Sequence, residues 1–338
     1  MNSIGLNILG DRGMSNDNIA AYTRQLKPHT CVVINNNKLA AMLLSQGITV
    51  IYRHKSDQPN GNDDDALKYD PIQFVMKRNL EAHPGAIIHL TNEPGTLELS
   101  KLNDWTLQAM RYCDLIGRKA CILNLATGNP EKHHWEILMP SLVYAADNGH
   151  IIGHHDYFDL TVDRSLKYHV GRAIPIMGKV GGKWAITELG CAVGYHPERG
   201  WQGGLSQEAY SLEILRAAQI YWLHNVPVCV YSYGSWHNFG IEDASLLKMR
   251  LIEYSNRLPV EDPSNARTFA RVNLRSSKSI SMGNIVRVLN AGTPLVIKKP
   301  AESGGEYPTG VGTVKRNDWY EVLEPANGWI AASFVGSL

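Results

Sequence analysis

Two carboxylates stand out by where they fall in the 338-residue chain. Glu93 lies in the turn Leu90-Thr91-Asn92-Glu93-Pro94-Gly95, which follows the apolar run Gly85-Ala86-Ile87-Ile88-His89. Glu188 follows Lys183-Trp184-Ala185-Ile186-Thr187 and precedes Leu189-Gly190. Each stretch reads as a buried strand that breaks into a polar turn with a glutamate at the break. If both strands belong to one parallel barrel, both glutamates reach the same rim, because functional groups in such barrels gather at the C-terminal strand ends. Paired carboxyl groups suit cleavage of a glycosidic bond: one donates a proton to the leaving oxygen, and the other attacks the anomeric carbon or activates water. Either glutamate alone reads equally well as a surface or capping residue. The recurrence of the arrangement carries the argument.

Other side chains fall where they can serve this pair. Asn92 is placed to bond a sugar hydroxyl. Period-two alternation puts His155 and Tyr157 on one side of the sixth strand, where the tyrosine hydroxyl can orient Glu188 and the histidine can touch Glu93. Arg53 follows the third strand, and Trp236, past the eighth, can form a floor on which a sugar ring stacks. Trp201, in Gly200-Trp201-Gln202-Gly203-Gly204, is either an aromatic platform on a mobile substrate loop or a residue of a plain connection that packs on the barrel. The alternation that points Glu93 inward also points His89 into the barrel, where it needs a partner. His154, His155 and Asp156 suggest a metal. A metal-dependent barrel hydrolase would, however, carry His-x-His on its first strand, where this chain has Leu6-Asn7-Ile8-Leu9, so no metal is expected. His133-His134 reads as a helix start. Asp63-Asp64-Asp65 lacks EF-hand spacing and reads as a solvated loop.

The elements that must position these residues alternate short β-like runs with helical patterns. The strands are expected at Ile4–Leu9, Cys31–Ile34, Ile48–Tyr52, the Glu93 stretch, Ala120–Leu125, the stretch from Ile151 to Tyr157, the Glu188 stretch and Val226–Tyr231. Ser15 caps the first helix, Asp70 with Pro71 opens the third, Pro140 interrupts the fifth, and a last helix covers Leu246–Tyr254. Eight such units over residues 1–258 match a (β/α)8 TIM barrel. A doubly wound open sheet would advertise GxGxxG or GxxxxGK[ST]. Neither is present, and no cofactor is implied.

Residues 259–267 read as a linker around Pro259 and Pro263. Residues 268–338 turn to short alternating strands separated by Gly, Asn and Pro, a small all-β barrel. The net charge of +1 offers no field for nucleic acid or an anionic membrane. No apolar run approaches the ~20 residues of a membrane span. The five cysteines form no CxxC pair and read as small core residues of a protein made in a reducing compartment. The N-terminus lacks a basic n-region and a long apolar h-region, so synthesis in the cytoplasm without a signal peptide is expected.

Taken together, Asn92-Glu93-Pro94, Ile186-Thr187-Glu188-Leu189-Gly190, His155-x-Tyr157 and a Trp after the eighth strand resemble the clan A glycoside hydrolases. The resemblance covers the barrel. It implies a retaining double displacement with Glu93 as acid/base and Glu188 as nucleophile. One departure is that no arginine ends the second strand, where many members carry one, and Arg53 is the candidate substitute. The C-terminal segment resembles a bacterial SH3-like (SH3b) domain through Val272-Asn273-Leu274-Arg275-Ser276, Leu289-Asn290-Ala291-Gly292-Thr293-Pro294 and Asn327-Gly328-Trp329-Ile330-Ala331-Ala332. Such domains commonly bind cell-wall peptide. The combination resembles a phage or prophage endolysin acting on peptidoglycan glycan at the bacterial cell wall after holin-dependent release. Alternatives are a β-mannan or β-glucan hydrolase, a barrel that binds wall glycan without cleaving it, and an amidase or peptidase built on the barrel.

Overall fold

The computed structural model describes the chain except residues 1–3, 10–13, 55–65, 96–97, 160–169, 193–199, 223, 235–238, 242–243, 257–264, 269–271, 278–284, 290–293, 309–314, 325–327, 332–334 and 338. Its contacts divide it into two compact units, residues 1–164 with 168–256 and residues 257–338 with 165–167.

In the first unit, β1 (Ile4–Leu9), β2 (Thr30–Ile34), β3 (Thr49–Arg53), β4 (Ile87–His89), β5 (Ala120–Leu125), β6 (Ile151–Asp159), β7 (Lys183–Ala192) and β8 (Val228–Tyr233) close a parallel barrel in chain order, with β8 pairing back onto β1. Between them run α1 (Asn16–Leu26), α2 (Asn37–Ser45), α3 (Pro71–Glu81), α4 (Leu99–Leu115), α5 (Trp135–Asn148), α6 (Ile174–Val180) and α7 (Gln207–Trp222), and α8 (Ser245–Asn256) follows β8. Local chemistry sets the helix ends. The Ser15 hydroxyl accepts from the Asn18 N–H, and the Asp70 carboxylate accepts from the N–H groups of Ile72 and Gln73, groups left without an intrahelical partner. One apolar cluster joins Leu9, Val32, Ile34, Ile51, Cys121, Ile151, Ala185 and Cys229, with Ile87 packed against it, so every strand contributes to one core. Each fully buried aliphatic side chain stabilises such a core by about 1.5–3 kcal/mol. All five cysteines are buried and none forms a disulfide. No helix among the described residues is long and apolar enough to cross a membrane.

Two of the register irregularities, on β5 and β7, bear on what faces the barrel axis. Along β6, His154 and His155 are consecutive, but their partners on β7 are Ile186 and Glu188, so β7 holds one extra residue at Thr187. Likewise β5 pairs Leu123 with Gly153 and Leu125 with His154, leaving Asn124 as the extra residue. Each bulge breaks the period of two and re-aims the side chains beyond it.

The second unit is a seven-stranded antiparallel sheet in the order β11-β10-β14-β13-β12-β9-β15, formed by β9 (Asn265–Thr268), β10 (Val272–Arg275), β11 (Ile285–Leu289), β12 (Pro294–Pro308), β13 (Lys315–Glu324), β14 (Gly328–Ala331) and β15 (Val335–Ser337). Trp319 is buried in it. Three outcomes differ from the sequence reading. Where only short strands were expected, β12 runs from Pro294 to Pro308, because β12 and β13 form a long hairpin whose register shifts absorb the irregular residues. Asn265, placed in the linker, begins β9, which pairs with β12 and β15. The short helix α6 was not anticipated. The Asp63-Asp64-Asp65 loop and the turn at residues 290–293 lie outside the described residues.

Candidate active site

Glu188 faces the barrel axis because of the bulge at Thr187. With Ala185 in the core, strict alternation would send residue 187 inward and residue 188 outward. The extra residue lets both turn in. The Glu188 side chain is then held at both oxygens. Arg53 Nη1, at the end of β3, donates to Oε1 at 2.8 Å, and the Tyr157 hydroxyl on β6 donates to Oε2 at 2.5 Å. Hydrogen bonds to an ionised acceptor are short and strong, and the guanidinium balances the buried charge. Burial first, and then the charge of Glu188, pushes the Tyr157 phenol far above its ordinary pKa of 10, so it stays a neutral donor.

Glu93 lies past β4 in a left-handed turn (φ 50°), and its N–H donates to the Asn124 carbonyl at 2.9 Å. Such a conformation costs a residue with a side chain of order 1–3 kcal/mol, which the surrounding structure must hold in place. The side chain keeps 26% of its surface exposed, against 7% for Glu188. His155 Nδ1 lies 3.0 Å from Glu93 Oε1 and 3.6 Å from Glu188 Oε2. One oxygen of each carboxylate and one nitrogen of this ring all lie within 4.8 Å of one another. Burial pushes the Glu93 carboxyl up. The His155 hydrogen bond and charge, aided by Arg53, outweigh it and hold the group below the ordinary 4.5. The same three side chains are close enough to ligate a cation. Both Glu188 oxygens already accept hydrogen bonds, so an ion there would compete with a guanidinium.

Beneath the pair sits Asn124, a residue the sequence reading passed over. Its carbonyl holds the Glu93 N–H, its Nδ2 donates to the Thr91 carbonyl at 2.9 Å, and its Oδ1 accepts from the Thr187 hydroxyl at 2.9 Å. Thr91 and Thr187 are the residues just before each site segment, so one bulged residue ties both glutamate-bearing strands together. Gly153 makes room for it, since a Cβ there would fall 2.0 Å from Asn124 Oδ1. An Asn inside the apolar Ala120–Leu125 run was the available signal. A buried amide needs partners, and Thr91 and Thr187 supply them from outside β5.

Arg53, Glu93, His155, Tyr157 and Glu188 therefore converge, and Asn92 is buried beside Glu93. Trp236 lies outside the described residues. Trp201 is not an open platform. It is 5% exposed, stacks on Tyr210 with centroids 4.9 Å apart, and donates from Nε1 to the Phe239 carbonyl at 3.2 Å. Tyr231 and Phe239, both buried, each pack edge-on against Tyr157 at 5.7 Å. His154 and Asp156 project from the other side of β6, where His154 Nε2 lies 3.2 Å from Asp156 Oδ1 with both side chains fully buried. His89 is buried, and its Nδ1 has no hydrogen-bond partner among the described residues.

The architecture and its rim define a (β/α)8 barrel that presents a fixed, buried carboxylate beside a partly open one. No family model matches the chain, and no curated protein matches it. Solved structures do resemble it. Subunit Z of the clostridial cellulose synthase from Clostridioides difficile aligns over 75% of this chain and 99% of its own, with 13% identity and a TM-score of 0.50. The Lactobacillus rhamnosus β-glucuronidase aligns over 77% of this chain and 50% of its own, with 14% identity and a TM-score of 0.50. At such identity these likenesses show a shared barrel fold.

Proposed function

We propose that the chain is a retaining glycoside hydrolase with Glu188 as nucleophile and Glu93 as acid/base. The observation that carries this reading is the spacing of the carboxylates, whose nearest oxygens lie within 4.8 Å. Retaining enzymes hold the two groups ~5–5.5 Å apart, whereas inverting ones need ~6.5–9.5 Å to admit a water. In the first step Glu188 attacks the anomeric carbon while Glu93 passes its proton to the departing oxygen. In the second, Glu93 takes a proton from water as that water displaces Glu188 from the glycosyl-enzyme. Arg53 and Tyr157 aim the attacking carboxylate, and His155, in contact with Glu93, stabilises its ionised form between the two steps.

The substrate we assign is the glycan of bacterial peptidoglycan, with the C-terminal unit as a cell-wall-binding module. Support for this is the likeness of that unit's sequence to SH3-like wall-binding domains, and a fold by itself does not fix a substrate. A second reading, hydrolysis of a β-linked polysaccharide such as a glucan, is favoured by the sugar-handling names of the two structural neighbours. The test is incubation of the protein and its Glu188→Gln variant with purified peptidoglycan, β-glucan and β-mannan, with mass spectrometry of the soluble products. Disaccharide-repeat fragments from peptidoglycan with the unsubstituted protein alone support the first reading, and oligosaccharides from a glucan or mannan move the assignment to the second. Binding without fragments from any polymer contradicts both.

A further inference from the structure

Tyr157 and Gly190 are direct partners across β6 and β7, and Glu188 sits one pleat before Gly190 on the same face. To reach Glu188, the Tyr157 ring must lie across the β7 backbone at Gly190. A Cβ on Gly190 would stand 2.7 Å from Tyr157 Cε1, 2.8 Å from Cδ1 and 3.3 Å from Phe239 Cε1. Real Cβ contacts essentially never fall below 3.0 Å, and both obstructing atoms belong to a ring with little freedom to yield. Phe239 and Tyr231 pack edge-on against the ring, and Phe239 borders the same gap at Gly190. Phe239 is fixed in turn. Its carbonyl accepts from Trp201 Nε1 at 3.2 Å, and the neighbouring Gly240 carbonyl accepts from Gln202 Nε2 at 2.8 Å.

We propose that Gly190 is a positioning residue: its missing side chain is the slot that lets Tyr157 lie across β7 and hold the Glu188 carboxylate, with Phe239, braced by the Trp201 segment, bordering the same slot edge-on. The proposal rests on the reading of Glu188 as nucleophile only for its kinetic consequence. The geometric claim stands apart from it.

The test compares full-length Gly190→Ala, Tyr157→Phe and the double variant. The primary readout is the ¹³C resonance of the Tyr157 ring carbon bearing the hydroxyl in tyrosine-labelled protein, assigned by its disappearance in Tyr157→Phe. The expected result is that Gly190→Ala moves this resonance toward that of a phenol without a carboxylate acceptor. On whichever polymer is cleaved, it should lower kcat by the same factor as Tyr157→Phe, roughly tenfold to a hundredfold for one lost charge-assisted bond. The double variant should be no slower than Tyr157→Phe, because a residue acting only through that hydroxyl has nothing left to act on. An unmoved resonance, or kcat losses that multiply in the double variant, would overturn the proposal. If Gly190→Ala fails to fold by circular dichroism, Phe239→Leu loosens the edge contact that borders the slot: a resonance moved toward that of a phenol without a carboxylate acceptor supports the proposal, and one not moved in that direction overturns it. A shifted resonance in a protein that cleaves no polymer would leave the slot intact and refute the glycosidase reading instead.

Discussion

Glu188 is held by donors on both oxygens and is nearly buried, while Glu93 touches His155 and keeps a quarter of its side chain open. That asymmetry matches the two tasks. A nucleophile must stay charged and aimed, whereas an acid/base must trade protons with a leaving group and with water. Glu188→Gln is expected to lower turnover by roughly 10⁴-fold or more without loss of fold, as removing a nucleophile does elsewhere. Glu93→Gln is expected to cost ~10²–10⁴-fold, most on substrates with poor leaving groups, which need the proton. Steady-state rates on aryl glycosides of graded leaving-group pKa would check this. His155 lowers the Glu93 carboxyl by stabilising its ionised form. His155→Asn removes that stabilisation, so the Glu93 pKa rises and the acid form survives to higher pH. The alkaline limb of kcat/KM should then move upward. A limb that stays in place or moves down would contradict the pairing.

At the scale of elements, the site hangs on two bulges joined by Asn124. Gly153→Ala puts a Cβ 2.0 Å from Asn124 Oδ1 and should destabilise the barrel by about 1–3 kcal/mol, measurable as a lower urea midpoint with unchanged slope. Alternation and turn chemistry made the places of the barrel strands, both glutamates and the His155–Tyr157 face legible in the sequence. They did not reveal the bulges at Asn124 and Thr187: Asn124 shows only as one polar residue in an apolar run, and neither residue type by itself marks an insertion. Nor could they show that Arg53, read as lying just past β3, is its last residue and reaches Glu188, a contact made across the barrel. Nor could they choose between an open platform and a packed connection for Trp201, for a related reason. An indole in a glycine-rich loop looks exposed until Tyr210 and the Phe239 carbonyl, distant in sequence, close over it.

For the molecule as a whole, His89 couples stability to pH. Burial, and then the charges of Arg53, His155 and Arg78, hold its imidazole well below the ordinary 6.5, so the folded chain keeps it neutral. The unfolded chain binds this proton more readily, so the contribution of His89 is fully present above pH 6.5 and is lost as pH falls below that value toward the folded pKa. Melting temperature should therefore drop on acidification below 6.5, and His89→Gln should flatten that dependence. An unchanged pH dependence in the variant would show that other groups carry it. The central claim, a retaining carboxylate pair on a (β/α)8 rim, is tested most directly by ¹H NMR of the first anomer released from a β-linked polymer that the protein cleaves. The account predicts that the β anomer appears first and mutarotates afterwards, and that Glu188→Gln releases none. An α anomer appearing first, or release by Glu188→Gln at the unsubstituted rate, would contradict it.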